Sequence, residues 1–326
     1  MGRLRRTIAN RFGDRSRAII VGDDAPPGLR VAAEIMDRPQ TVDARDGRAI
    51  GYAEVGDPDG DPLFVFHGFP NSRVFGALFD EVGRDRGLCV IAPERPGFGV
   101  SDPDPDRVLT DWPADVADVA DALGIDSFSV LGISGGGPYA AATGAVLSER
   151  VDRVAICCGL APMASVGLRE RLWYYSARFL PPANKFALWL LVRRAIGDRE
   201  AFLASMADSA APADEDLWTD DIGQIVHASM VEARRHHGLD PLVTETELYA
   251  SPWGFDLADI DVPVALWYGK ADTIVPVEMG LYLAREIPTA QAHVYPDLDH
   301  LSIVEHNEDD IAAWLTGAER QTFQSE

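Results

Sequence analysis

The sequence predicts an α/β fold in which a mainly parallel sheet is covered by helices on both faces. Three observations predict it. Apolar runs of strand length recur along the 326 residues, at 63–66, 88–92, 128–132, 151–158, 262–268 and 290–295. Helical patterns lie between several of them, and near-continuous apolar strands alternating with helices belong to sheets buried on both faces. The alternation breaks once: residues 160–250 read as mostly helical and hold no strand pattern.

Residues 1–21 hold six arginines and one aspartate, a local charge of +5. Leu4, Ile8 and Phe12 are spaced by four, which fits a short basic amphipathic helix or a tail. Arg5-Arg6 has no apolar stretch behind it, so it is not read as an export signal. Pro26, Pro27 and Gly28 punctuate residues 22–39, which read as a linker, with ordered structure expected from about Thr41. Asp46-Gly47 marks a hairpin turn, and Asp57-Pro58-Asp59-Gly60 marks a second turn. A helix should start at Asp111 and Pro113, bury Val116, Val119, Ala120 and Leu123, and stop at Gly124. The expected division is a tail and linker over 1–40, a core over 41–159 and 251–318, and a helical insertion over 160–250. The insertion is rich in rings: Trp173, Tyr174, Tyr175, Phe179, Phe186, Trp189, Phe202 and Trp218.

Charge and cysteine usage set limits on function. The chain carries 29 Lys+Arg against 52 Asp+Glu, a net charge of −23, so nucleic acid and anionic membranes are poor partners. With 47% hydrophobic residues, a disordered chain is excluded. Cys89, Cys157 and Cys158 form no disulfide framework and fit a reducing, cytoplasmic setting. No apolar run reaches the roughly 18 residues of a membrane span. Asp outnumbers Glu 35 to 17, and the only lysines are Lys185 and Lys270. That balance fits a salt-rich cytoplasm, where screening removes self-repulsion, with a high-GC bacterium as the rival source. Asp111, Asp115 and Asp118 are read as the solvent face of their helix, and Asp214, Glu215, Asp216, Asp220 and Asp221 as a solvated acidic loop.

The chemistry centres on Gly132-Ile133-Ser134-Gly135-Gly136, where a strand runs into a helix of small residues. This is the pattern of a nucleophile elbow, whose tight turn excludes side chains beside the serine. A phosphate loop would need Gly-Lys-Ser/Thr at the helix start, and Gly137-Pro138-Tyr139 stands there instead. A serine needs a base, and the base needs an orienting acid. Asp272 and His300 follow successive strands in the required order, Ser134…Asp272…His300. His227, His236, His237, His293 and His306 fit less well and are read as structural or solvated. An oxyanion needs donors, for which the Gly135 and Phe69 N–H groups are the candidates. His67 and Gly68 are expected to support the loop that carries Phe69, and Gly132 and Gly136 to permit the elbow. No metal and no organic cofactor is required.

On these motifs the chain resembles an α/β-hydrolase of the esterase, epoxide hydrolase and dehalogenase-like branch. The likeness spans roughly 41–316 and rests on His67-Gly68-Phe69-Pro70, the 93–102 segment with Arg95-Pro96-Gly97, the elbow, Gly269-Lys270-Ala271-Asp272 and the His300 segment. It implies that 160–250 is a helical cap over the site, set before the penultimate strand. Glu94 stands where such proteins usually have Asp, a harmless change. Asp299 stands where Gly is common, and a second carboxylate there could raise the pKa of His300. Dehalogenases and epoxide hydrolases carry Asp at the elbow, so Ser134 points to acyl-enzyme chemistry on an ester, thioester, lactone, amide or activated C–C bond.

The expected function is therefore that of a serine carboxylesterase acting on a small molecule with an apolar acyl or aryl group. Alternatives stay open: a small-molecule receptor or signalling binder on the same fold, a proline iminopeptidase-like amide hydrolase, and a membrane-associated lipase using the basic N-terminus. Oligomeric state is not legible.

Overall fold

The computed structural model describes residues 25–165, 167 and 179–318. The basic segment 1–21 and the rings Trp173, Tyr174 and Tyr175 lie outside them. Each of the six apolar runs forms a strand: β3 (Asp61–Phe66), β4 (Leu88–Pro93), β5 (Phe128–Ile133), β6 (Val151–Cys157), β7 (Val264–Gly269) and β8 (Ala290–Tyr295). Two further strands, β1 (Gln40–Asp43) and β2 (Ala49–Gly56), pair antiparallel around the turn at Gly47, whose φ is 87°. The eight strands run β1-β2-β4-β3-β5-β6-β7-β8 across the sheet. From β4 to β8 every pairing is parallel.

That order has a consequence for the site. The chain leaves β3 for β4 on one side and returns to β5 on the other. The carboxyl ends of β3 and β5 therefore meet where the winding reverses, with Phe66 opposite Gly132. Open α/β sheets bind ligands at such a point. Helix α3 (Trp112–Leu123) matches its sequence signals and ends at Gly124 in the left-handed region, φ 71°. Helix α4 (Gly137–Val146) follows β5 and is buried through most of its length, which its run of Ala and Gly permits. Helix α2 (Asp80–Arg86) joins β3 to β4, and α10 (Val277–Glu286) joins β7 to β8. The chain closes with α11 (Ser302–Glu305) and α12 (Glu308–Leu315).

Between β6 and β7 the described residues form five helices: α5 (Pro181–Gly197), α6 (Arg199–Ala207), α7 (Glu215–Thr219), α8 (Asp221–Glu232) and α9 (Asp240–Tyr249). They sit before the penultimate strand, as expected of the fold. Their rings divide. Phe202 and Trp218 are buried, whereas Phe179 and Phe186 are exposed.

Two expectations are corrected. The stretch read as a linker contains α1 (Pro27–Asp37), which buries Leu29, Ala32, Ile35 and Met36 against Val74, Ala77, Ala92, Ile225 and Ala228. Pro27 opens this helix rather than breaking it, because the first turn has no use for its missing N–H. Nor do the acids of α3 simply face solvent. Asp115 is buried and pairs with Arg48 at 2.6 Å, and Asp118 holds Arg45 at 2.7 Å, so they fasten the β1–β2 hairpin.

The deepest ionic contact ties the inserted helices to the core. Arg73 is fully buried. Its Nη1 donates to Glu94 Oε1 at 2.6 Å, and its Nη2 lies 2.9 Å from Glu232 Oε1 in α8 and 3.2 Å from the Ile35 carbonyl in α1. Glu94 thus has a strict partner, and its second oxygen accepts from Val100 N–H at 2.8 Å. Removing one member of such a cluster strands a buried charge, at a cost of about 3–5 kcal/mol. Arg73→Ala is accordingly expected to lower stability by about 3–5 kcal/mol in urea unfolding. A loss within the ~0.5 kcal/mol of an ordinary surface substitution would contradict the role given to this cluster.

Candidate active site

Ser134 follows the last residue of β5 and has φ 55°. A left-handed conformation at a non-glycine residue costs about 1–3 kcal/mol and persists only where the surroundings enforce it. Here they do. A Cβ on Gly132 would stand 2.6 Å from Ala140 Cβ and 2.7 Å from the Gly136 carbonyl, and one on Gly136 would collide with the Phe66 carbonyl. Glycine at 132 and 136 therefore lets β3, β5 and α4 close on the turn that presents Ser134.

The β3 loop presses on the same turn. A Cβ on Gly68 would lie 3.3 Å from Ser134 Cβ, and one on Gly135 would lie 3.1 Å from Phe69 N. Phe69 N–H donates to no group among the described residues. The Phe69–Pro70 peptide is cis. His67 is buried and donates from Nδ1 to the Gly68 carbonyl at 2.9 Å. Burial, with the Arg95 charge beside it, holds the His67 imidazole well below its ordinary pKa, so it stays neutral.

Asp272 and His300 come together from the ends of β7 and β8. His300 Nδ1 lies 2.9 Å from Asp272 Oδ2. The other carboxylate oxygen, Oδ1, accepts from Ile274 N–H at 2.8 Å and Val275 N–H at 2.7 Å. Those bonds fix the carboxylate, and the carboxylate fixes the ring. Burial, the largest single influence, would lower the pKa of His300, but the charge and hydrogen bond of Asp272 together with the neighbouring Cys158 outweigh it, and the imidazole is held well above its ordinary value. On the far side of the ring, His300 Nε2 faces Cys158 Sγ at 4.0 Å. Burial pushes that thiol up, so it stays neutral.

Ser134, His300, Gly68 and Phe69 line one cavity of about 350 Å³. Its walls are otherwise mostly apolar, with Phe75, Leu191, Phe202, Met206, Trp218 and Met230 among them. No lysine or arginine lines it among the described residues, and Glu305 and Glu308 stand on its wall. Ser134 Oγ has no hydrogen-bond partner among the described residues.

Two carboxylates shape the His300 segment in ways sequence reasoning missed. Asp299, beside His300 in the chain, organises backbone. Its Oδ1 accepts from His300 N–H and Thr273 N–H, both at 2.8 Å, and its Oδ2 accepts from Ala211 N–H at 2.6 Å. Asp214, expected in a solvated acidic loop, is fully buried. It accepts from Leu301 N–H at 2.6 Å and Ser302 N–H at 2.7 Å. Its acidic neighbours Glu215, Asp216 and Asp220 are exposed, and only the three-dimensional packing singles Asp214 out. Other histidines stay apart from the cavity lining. His227, for one, bonds the Ala195 carbonyl at 2.7 Å inside the inserted helices.

The model of the alpha/beta hydrolase family matches residues 63–314. The chain is an α/β hydrolase. Among its relatives, the 2-hydroxymuconate semialdehyde hydrolase of Pseudomonas putida is 30% identical over 224 residues, 67% of this chain and 73% of that protein. Among solved structures, an esterase from Exiguobacterium antarcticum superposes with a TM-score of 0.61 at 19% identity, over 86% of this hydrolase and 99% of the other chain. A meta-cleavage product hydrolase from Pseudomonas fluorescens gives a TM-score of 0.59 at 20% identity, over 86% and 98%. At such identity these structures establish the shared fold. Among the described residues, no helix of this hydrolase is long and apolar enough to cross a membrane.

The geometry around His300 makes a direct spectroscopic expectation. In NMR titration, His300 should take up its proton above pH 6.5, the ordinary histidine value. Asp272→Asn should move that titration down, because burial then loses its main opponent. An unchanged titration in the variant would show that Asp272 does not set the charge of His300.

Proposed function

We propose that this hydrolase is a serine esterase acting on an uncharged small molecule with an apolar acyl or aryl group. The observation that carries the reading is the convergence, in one apolar cavity, of a serine held in a strained turn and a histidine bonded to a fixed carboxylate. In this reading Ser134 Oγ attacks the carbonyl and His300 Nε2 accepts its proton. Asp272 holds the Nδ1–H tautomer and stabilises the imidazolium. The Phe69 and Gly135 N–H groups receive the oxyanion. His300 then returns the proton to the leaving alcohol, and water, activated the same way, releases the acid from Ser134.

A second reading follows from the relatives. The P. putida relative's name gives a substrate with a muconate skeleton, which is a carboxylic acid. Cleaving a C–C bond beside a carbonyl could use the same serine, histidine and aspartate. What favours the ester is the cavity wall: its described residues supply no cation for a carboxylate, and Glu305 and Glu308 would repel one.

Ser134→Ala should lower kcat on an aryl ester on the order of a millionfold, as loss of a triad nucleophile does. Most of the activity surviving would sink the assignment. In a panel of uncharged acyl and aryl esters set against ring-fission dienoates, the esters should give the higher kcat/KM. Preference for the dienoates would favour the second reading.

The pH profile has a definite sign. A base must be neutral to accept the serine proton, and Asp272 stabilises the charged form of His300. The rate should therefore rise with pH through the raised pKa, placing the acid limb of kcat/KM above 6.5. A limb below 6.5 would contradict the electrostatic account.

A further inference from the structure

Behind the loop that carries Phe69 lies a buried cluster that the chemistry above does not use. Glu245, in α9, is fully buried. Its Oε2 accepts from Arg107 Nη2 at 2.6 Å and from the Tyr139 hydroxyl at 2.8 Å. Its Oε1 lies 2.8 Å from Arg95 Nε and accepts from the Tyr249 hydroxyl at 2.7 Å. Two arms of this cluster reach the site. Arg95 donates to the His67 carbonyl at 2.6 Å and to the Gly68 carbonyl at 3.0 Å, which fixes the chain just before Phe69. The Tyr249 hydroxyl also lies 3.0 Å from the Gly135 carbonyl, and its ring meets Phe69 edge-on with centroids 6.0 Å apart.

We infer that Tyr249, held by Glu245, is a positioning residue that sets the spacing between the two oxyanion donors, Phe69 N–H and Gly135 N–H. The inference rests on the esterase reading. Tyr249 touches both residues that carry the donors, its ring against the Phe69 ring and its hydroxyl beside the Gly135 carbonyl. Burial, reinforced by the Glu245 charge, holds its phenol well above the ordinary range, so the hydroxyl keeps its proton and remains a donor. A glycine at 135 is required by the same contact, since a Cβ there would collide with the Tyr249 oxygen. The donors serve the transition state more than the ground state, so a misplaced pair costs turnover rather than substrate binding. Because Tyr249 and Glu245 come from the inserted helices, that segment helps build the catalytic floor as well as cover it.

The experiment compares Tyr249→Phe with Tyr139→Phe. Each removes one hydroxyl from the same carboxylate, but the Tyr139 hydroxyl has Glu245 as its partner and touches neither donor. Steady-state kinetics on an aryl ester are measured together with the affinity of an alkylboronic acid, which becomes tetrahedral on a serine, and with thermal melting. Tyr249→Phe should lower kcat about tenfold to hundredfold with KM unchanged, and weaken the boronate by the same factor. Tyr139→Phe should lower the melting temperature comparably and leave kcat and boronate affinity at wild-type values. Equal kinetic losses in both variants, an effect confined to KM, or full turnover in Tyr249→Phe would each overturn the inference. Ser134→Ala in the same assay separates the levels: an active Ser134→Ala overturns the esterase reading and this inference with it. An inactive Ser134→Ala beside a fully active Tyr249→Phe overturns the inference alone.

Discussion

The close approach of β3, β5 and α4 at the switch in sheet winding is the constraint on which the rest of this structure depends. It forces Ser134 to φ 55° and leaves no room for a Cβ at 132 or 136. The strain at Ser134 is offset by packing throughout the central strands, where Phe64, Val65, Phe66 and Val130 are inaccessible to solvent. It also decides which loops meet. Because β3 and β5 are neighbours, the Gly68–Phe69 segment arrives beside Ser134. Because β7 and β8 are the last strands in order, Asp272 and His300 arrive together from the other side.

The inserted helices are fastened to this frame through buried carboxylates as well as apolar contacts. Glu232 meets Arg73, Glu245 meets Arg95 and Arg107, and Asp214 meets the backbone of Leu301 and Ser302. Burying a charge is costly, and a well-packed apolar pair would often be as stable. What a charged, directional contact adds is geometry: it accepts one arrangement and penalises the rest. Two of the three carboxylates act on segments beside the proposed chemistry. Asp214 holds the segment of His300 and Glu245 the residues around Phe69 and Gly135, while Glu232 closes the buried Arg73–Glu94 pair. The apolar walls of the cavity then have a fixed orientation relative to the reacting groups.

Much of the frame was legible in the sequence, for local reasons. The strands announce themselves as apolar runs, and the elbow as glycines around a serine. The 22–39 stretch was misread because Pro26, Pro27 and Gly28 look like linker punctuation, although the spacing of Leu29, Ala32, Ile35 and Met36 is helical. The candidate serine, acid and base were found because each follows a strand. The buried carboxylates were missed because burial is not local: Asp214 differs from Asp216 only through contacts some 90 residues away. The Glu245–Tyr249 pair, spaced by four on one helix, was visible as a spacing but had no visible target. Its partners Arg95 and Gly135 lie more than 100 residues earlier. Asp115 was assigned to solvent for the same reason, since Arg48 stands 67 positions away.

The central claim is that Ser134 is an activated nucleophile in an apolar, carbonyl-binding cavity. An aryl-tagged fluorophosphonate tests it most directly, because the reagent needs both a nucleophilic serine and a site for its phosphoryl oxygen. Mass spectrometry of the labelled, digested protein should place a single adduct on Ser134, with labelling lost in His300→Ala. An unlabelled protein, or an adduct elsewhere in the chain, would contradict the account.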